Sequence, residues 1–139
     1  MQKFDYNLDY RNIMFNPNDY RYRIGKEEQG VFLVRPYTDD IAKLWRFSSK
    51  KAAEESSEKI YELYLSYKEI QDFVGMDMCR KFLSIGYNSS RYPSFKEKRD
   101  QIWEDVFYKD CYTRHGMFED SLEELKEMII VRDNLAKGI

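Results

Sequence analysis

The chain has 139 residues, with 25 acidic and 23 basic side chains and a formal net charge of −2 at pH 7. This length is typical of one domain with a substantial core. The near-neutral charge gives no overall attraction to nucleic acid or to anionic membranes. Aromatic residues make up 17% of the chain, which favours a packed globular protein over a disordered one.

Signals for export and for membrane insertion are missing from the sequence. The first residues, beginning Met1-Gln2-Lys3, contain no apolar core of a signal peptide. No segment approaches the roughly 20 apolar residues of a membrane span. The two cysteines, Cys79 and Cys111, suit reduced thiols better than a disulfide framework. We therefore predict a cytoplasmic protein without membrane contact.

The first third of the chain predicts a small sheet. Residues 1–19 show no period and predict an irregular arm. Residues 20–24 alternate aromatic and basic side chains, which is the period of a strand. Residues 31–34 are β-branched and aromatic, and residues 44–47 are a third short candidate. We expect these three segments to form an antiparallel meander.

From residue 49 onward the apolar spacing is helical. The first helix is predicted at about 49–70, after Ser48-Ser49. The second is predicted at 73–86, with Asp72 as its N-cap and Gly86 just past its end. Because apolar residues surround its axis, we expect this second helix to be central and the most buried.

Two further helices are predicted from capping boxes, in which a serine and a glutamate three residues later satisfy each other's backbone donors. Ser94-x-x-Glu97 precedes a helix at about 95–114, and Ser121-x-x-Glu124 precedes one at about 122–137. The predicted fold class is α+β, with a small N-terminal three-stranded meander packed against a C-terminal bundle of about four helices. One domain spans 1–139, consisting of the arm 1–19, the sheet 20–47 and the helical part 49–137.

Few residues offer enzyme chemistry. His115 is the only histidine, so histidine-rich metal sites are excluded, and its spacing from Cys111 supplies too few ligands for a structural metal. Asp100 and Glu104 share a helix face and are candidates for a carboxylate–metal enzyme. Lys96 lies one turn before Asp100 and favours an ion pair instead. Phosphate-binding glycine motifs and the GxSxG motif are missing, so we favour a non-enzyme and predict no cofactor, metal or catalytic residue.

Positive charge is concentrated at residues 80–99, which carry six basic groups and one acidic group. Residues 20–23 alternate tyrosine and arginine. Aromatic stacking combined with phosphate neutralisation is a common way to hold single-stranded nucleic acid. The candidate nucleic-acid or anion-binding residues are Arg21, Arg23, Arg80, Lys81, Arg91 and Tyr92.

The segment 72–78, reading Asp-Phe-Val-Gly-Met-Asp-Met, is followed by Arg-Lys-Phe-Leu at 80–83 and Gly-Tyr at 86–87. With earlier segments such as 30–37 and 45–47, the chain resembles an uncharacterised family, a domain of unknown function found in bacteria and in phages, cyanophages included. The resemblance covers about residues 3–92. It implies a single-domain intracellular protein, in the host cytoplasm if phage-encoded, and it carries no activity.

These observations favour a non-catalytic accessory or binding protein of a phage or bacterium, with a protein as its partner. Exposed tyrosines would suit such a contact. A nucleic-acid-binding module is the alternative, and the carboxylate–metal enzyme is a second alternative. The sequence does not predict an oligomeric state.

Overall fold

The structure is a computed structural model, and it describes residues 6–19, 21–23, 30–114 and 130–137. A short 3-10 turn, Tyr10–Asn12, precedes five α-helices, and residues 130–137 are also helical. The helices are α1 (Tyr37–Ala42), α2 (Lys50–Glu69), α3 (Phe73–Ser90), α4 (Pro93–Glu104) and α5 (Val106–Arg114). No helix in these parts of the chain is long and apolar enough to cross a membrane.

The predicted α+β class is wrong, because the described residues form helices and turns and contain no strand. Residues 31–34 lie in turns, and residues 44–47 form a turn and an irregular run. Their backbone groups pair locally, as in the hydrogen bond from Leu33 N to Gly30 O at 3.0 Å. Of the first predicted strand, only residues 21–23 lie within the described residues, and they are not a strand.

The apolar residues assigned to the sheet instead pack against helices. The Trp45 ring lies 5.2 Å from the Phe82 ring of α3, and the Phe47 ring lies 6.0 Å from the Phe95 ring of α4. A short apolar run carries no period that separates a strand from a packed irregular segment. Tertiary packing therefore decided the structure of residues 30–47.

Helix α2 begins where the sequence predicts, because the Ser49 side chain accepts a hydrogen bond from Ala52 N at 3.1 Å. This is the expected N-cap contact. The helical spacing predicted from residue 49 onward is confirmed by the buried face of α2. Its members are Ala53, Ser56, Ile60, Leu63, Tyr64 and Tyr67.

Helix α3 is the central helix, as predicted. It contacts each of the other four α-helices, and its residues from Phe73 to Ser84 are all buried. The N-cap prediction is also confirmed, since Asp72 Oδ1 accepts a hydrogen bond from Gly75 N at 2.9 Å. The charged residues of α3 therefore lie in the interior of the protein.

The predicted end of α3 at Gly86 is wrong, because the helix continues to Ser90 and ends at Arg91, which has φ 63°. Gly86 serves packing instead. A Cβ atom at Gly86 would lie 2.8 Å from Cδ1 of the Phe95 ring, which is closer than two carbons can approach without displacement. The missing side chain lets α4 lie directly against α3.

Replacing Gly86 with alanine should destabilise the protein by up to about 2 kcal/mol, since overpacking a core costs about 1–3 kcal/mol and the helical gain offsets about 1 kcal/mol of that cost. Urea denaturation followed by circular dichroism measures the change. Ser89→Ala, at an exposed position of the same helix, is the control and should stay within about 0.5 kcal/mol of the wild type. A more stable Gly86→Ala protein would contradict the packing role.

The third predicted helix is two helices, because α4 ends at Glu104 and α5 begins at Val106. Asp105 separates the two helices. Its Oδ1 accepts a hydrogen bond from Phe107 N at 2.9 Å, and its Oδ2 accepts hydrogen bonds from Tyr64 and Lys68 of α2. The Ser94 capping box is also wrong. Tyr92 is the N-cap of α4, and the Ser94 hydroxyl is buried without a partner in the described structure.

The fourth predicted helix is described only in its last part, residues 130–137, which are helical. The second capping box, Ser121-x-x-Glu124, lies outside the described residues. Arg132 ties this segment to the rest, because its Nη1 donates to the carbonyl oxygen of Phe15 at 2.7 Å. Lys43, the C-cap of α1, donates to the carbonyl oxygen of Ala136 at 3.2 Å.

Candidate functional site

A cluster of buried ionisable groups surrounds Asp77 of α3. Asp77 Oδ1 accepts hydrogen bonds from Arg80 Nε at 2.8 Å and from the Tyr108 hydroxyl at 2.5 Å. The Tyr22 hydroxyl donates to Asp77 Oδ2, and Lys81 Nζ lies 3.9 Å from the same oxygen. All five side chains are buried, and they are called the Asp77 cluster below. It joins α3 to α5 and to the segment 21–23.

Opposing effects set the pKa values of this cluster. Burial raises the pKa of Asp77, but the charges of Arg80 and Lys81 and the hydrogen bonds from Arg80 and Tyr108 outweigh it, and the net pKa falls to about 2. Burial lowers the pKa of Lys81 to about 8 in spite of Asp77. Burial and then Asp77 raise the pKa values of Tyr22 and Tyr108 well above the usual range. At neutral pH the cluster therefore holds one carboxylate, two cations and two neutral phenols.

The Asp77 cluster is closed to a substrate. A lysine with a lowered pKa is a common base or nucleophile, but the Lys81 side chain has no exposed surface. Its Nζ donates to the carbonyl oxygen of Arg23 at 3.2 Å and lies 4.7 Å from the centre of the Tyr22 ring. The Arg80 guanidinium is covered by the Trp103 ring, at 5.0 Å. The arrangement holds helices together and leaves no reacting atom accessible.

A second buried group, around Asp72, joins three parts of the chain. The Tyr37 hydroxyl of α1 donates to both Asp72 oxygens, at 2.8 and 3.0 Å. Arg132 Nη1 lies 3.4 Å from the Tyr37 hydroxyl, and its guanidinium lies over the Tyr37 ring. Burial raises the pKa of Asp72 to about 7, although hydrogen bonds from Gly75 and Tyr37 and the charge of Arg132 oppose the rise.

The predicted binding residues are distributed over several environments. Arg80 and Lys81 belong to the Asp77 cluster, so their charges do not face solvent. Arg21 is held by Asp19, to which its Nη2 donates at 2.7 Å. Arg23 is half-buried, and its carbonyl oxygen accepts a hydrogen bond from Lys81 Nζ. Only Arg91 and its neighbour Tyr92, of the predicted set, lie together at a basic surface.

That surface is formed where α3 ends and α4 begins. The guanidinium of Arg91 lies 5.2 Å from the centre of the Tyr87 ring, and the guanidinium of Arg99 lies 5.6 Å from the same centre. Arg91 is exposed, while Tyr87, Tyr92 and Arg99 are half-buried. No carboxylate among the described residues lies within ion-pair distance of Arg91. These four residues, Tyr87, Arg91, Tyr92 and Arg99, are called the α3 exit surface.

Neighbouring cations on α4 are already paired. Lys96 Nζ lies 2.6 Å from Asp100 Oδ2, as the spacing predicts, and Arg99 lies 3.3 Å from Asp100 Oδ1. Lys98 pairs with Glu58 of α2 at 2.9 Å. Asp100 is thus engaged by two cations. Burial raises the pKa of Asp100, but these two cations lower it by more, and the net pKa is lowered.

No group of three metal-ligating side chains occurs within the part of the chain that the structure describes. The Cys79 and Cys111 side chains are buried, and His115 lies outside the described residues. An open groove of about 460 Å³ lies between α1 and residues 130–137. Its lining mixes both signs of charge: Pro36, Asp40, Lys43, Asp133, Ala136 and Lys137.

Sequence reasoning assigned Arg80 and Lys81 to a surface and missed Asp77. A signal was present, because Asp77, Arg80 and Lys81 are spaced i, i+3 and i+4 on one predicted helix. The helix was also predicted to be apolar all around. A charged triplet in a helix buried on every side must pair internally, and this combination identifies the cluster. The contributions of Tyr22 and Tyr108 have no comparable signal in the sequence.

Comparison with known proteins identifies a family. The family described as a domain of unknown function (DUF4385) matches residues 5–126. Neither a curated protein nor a solved structure matches the chain. The match extends beyond residue 92, where the resemblance noted from the sequence ended.

Proposed function

The chain belongs to this family of unknown function, and we propose that it is a non-catalytic accessory protein of a bacterium or phage that binds a protein partner through the α3 exit surface. One observation carries this proposal. The described ionisable groups with the largest changes in pKa are buried, whereas Arg91 is an exposed cation that has no ion pair among the described residues and lies beside two tyrosines. Arginine and tyrosine are enriched where proteins bind one another.

The alternatives receive less support from the same contacts. Nucleic-acid binding was predicted partly from Arg80 and Lys81, and both side chains are buried. A carboxylate–metal enzyme was predicted from Asp100 and Glu104, and Asp100 is occupied by Lys96 and Arg99. Nucleic-acid binding requires a series of accessible cations. A carboxylate–metal site requires a pair of carboxylates that are not occupied by cations.

Affinity capture from an extract of the source cells, treated with nuclease, tests the proposal. The wild type is compared with Arg91→Glu/Arg99→Glu, which reverses two charges of the α3 exit surface. Lys51→Glu/Lys59→Glu is the matched control, because it reverses two exposed charges on α2. We expect a protein that the wild type and the control retain and that the first variant loses by tenfold or more, about 1.4 kcal/mol.

Two results would contradict the proposal. One is equal recovery of every protein by the two double variants. The other is a captured set that is recovered only from an extract without nuclease treatment, which would favour the nucleic-acid alternative.

A further inference from the structure

The α3 exit surface holds two like charges beside one ring. Arg91 belongs to the end of α3 and Arg99 to α4, yet both guanidinium groups lie within 6 Å of the centre of the Tyr87 ring. The ring face attracts each cation, while the two cations repel each other. Two cations gathered at one ring make this part of the surface attractive to acidic groups.

The nearby negative charge does not neutralise this pair. Asp100 is the carboxylate within reach of Arg99, at 3.3 Å, and it makes a closer contact with Lys96, at 2.6 Å. Arg91 has no carboxylate partner in the described structure. The surface therefore retains positive charge, and Arg91 supplies most of it.

The backbone fixes the points from which both arginine side chains project. Arg91 has φ 63°, and its N–H donates to the carbonyl oxygen of Tyr87 at 2.6 Å. Arg99 lies on α4, which begins at Pro93, two residues after Arg91. Gly86 and Phe95 hold α3 and α4 in close contact. An acidic segment would thus meet a backbone that is already in place, which limits the ordering cost of binding to the side chains.

From this geometry we infer that the α3 exit surface binds an acidic segment of its protein partner, with neighbouring carboxylates on Arg91 and Arg99 and the peptide against Tyr87 and Tyr92. This inference rests on the proposed function and names the chemistry of the partner. Guanidinium groups form paired, planar hydrogen bonds with carboxylates. A nucleic acid would need several accessible cations along its backbone, and Lys96 and Lys98 are occupied by Asp100 and Glu58.

Fluorescence anisotropy with a labelled peptide of alternating Asp and Glu tests the inference at low ionic strength. We expect saturable binding that weakens as salt is added, and no binding of the matching Asn and Gln peptide. Arg91→Asn should weaken binding of the acidic peptide by about tenfold. Asparagine tolerates a positive φ, so this variant removes the charge and keeps the backbone. Lys51→Gln on α2 is the control and should bind as the wild type does.

The inference is overturned if the acidic peptide does not bind at low salt, or if Arg91→Asn binds it as well as the wild type. It is also overturned if a single-stranded oligonucleotide binds more tightly than the peptide through Arg91. The proposed function has a separate readout. If the capture experiment yields a partner that depends on Arg91 and Arg99 while the peptide fails to bind, the protein-binding role stands and only the acidic chemistry is wrong.

Discussion

Replacing Asp77 with asparagine is expected to lower the free energy of unfolding by about 3–5 kcal/mol, the usual cost of removing one partner from a buried ion pair. The substitution leaves Arg80 and Lys81 as buried cations without a compensating charge. The Tyr22 and Tyr108 hydroxyls also lose a charged acceptor. Urea denaturation at pH 7, followed by circular dichroism, measures the loss.

Asp100→Asn is the matched control for this prediction. Asp100 also pairs with two cations, but its side chain is 38% exposed, against 0% for Asp77. Exposed ion pairs contribute little, so the control should change stability by less than about 1 kcal/mol. Equal effects of the two substitutions would show that the Asp77 cluster is not buried as described.

Stability should rise as the pH falls from 7 to 5, because of Asp72. Burial raises the pKa of Asp72 to about 7 in the folded protein, against a model-peptide value of 3.8. The folded state therefore binds a proton that the unfolded state does not bind until lower pH. This contribution is present below pH 3.8 and is lost as the pH rises through about 7. Between these values its slope approaches about 1.4 kcal/mol per pH unit.

The window from pH 7 to 5 separates Asp72 from Lys81 and Asp77. The pKa of Lys81 is lowered to about 8 in the folded protein, so its contribution changes only above that pH. The pKa of Asp77 is lowered to about 2, so its contribution changes only below about pH 5. Asp72→Asn keeps a residue that caps helices well and removes the titration. Denaturation midpoints that change with pH in the same way for the wild type and the variant would refute the assignment.

Much of the helical part could be predicted from the sequence, because its signals are local. Ser49 and Asp72 begin α2 and α3 through contacts within their own first turns. The end of α3 could not be predicted in this way. Glycine is typical of the position after a helix, but Gly86 instead makes room for Phe95, which approaches from α4.

The sheet was predicted wrongly because segments of four or five residues carry too little periodic information. Trp45 and Phe47 are residue types that are common in strands, yet their rings contact the Phe82 and Phe95 rings on α3 and α4. Contacts between residues that are distant in sequence decide such segments. In the first third of the chain, composition therefore identified packed residues without identifying their backbone conformation.

The candidate surface was predicted in part. Basic composition identified Arg91 and Tyr92, which do lie at the α3 exit surface. The same composition included Arg80 and Lys81, because a count of charges contains no information about burial. Arg99 and Tyr87 complete the surface through a shared ring contact, and this contact depends on the approach of α4 to α3.

Native-state amide hydrogen exchange of α3 is the most direct test of this account, whose central claim is that α3 is the buried helix that holds the charged cluster in the core. The amides of residues 76–84 should exchange only through global unfolding, with a free energy equal to that from urea denaturation. Exchange of these amides through local opening, at a free energy several kcal/mol lower, would contradict the claim.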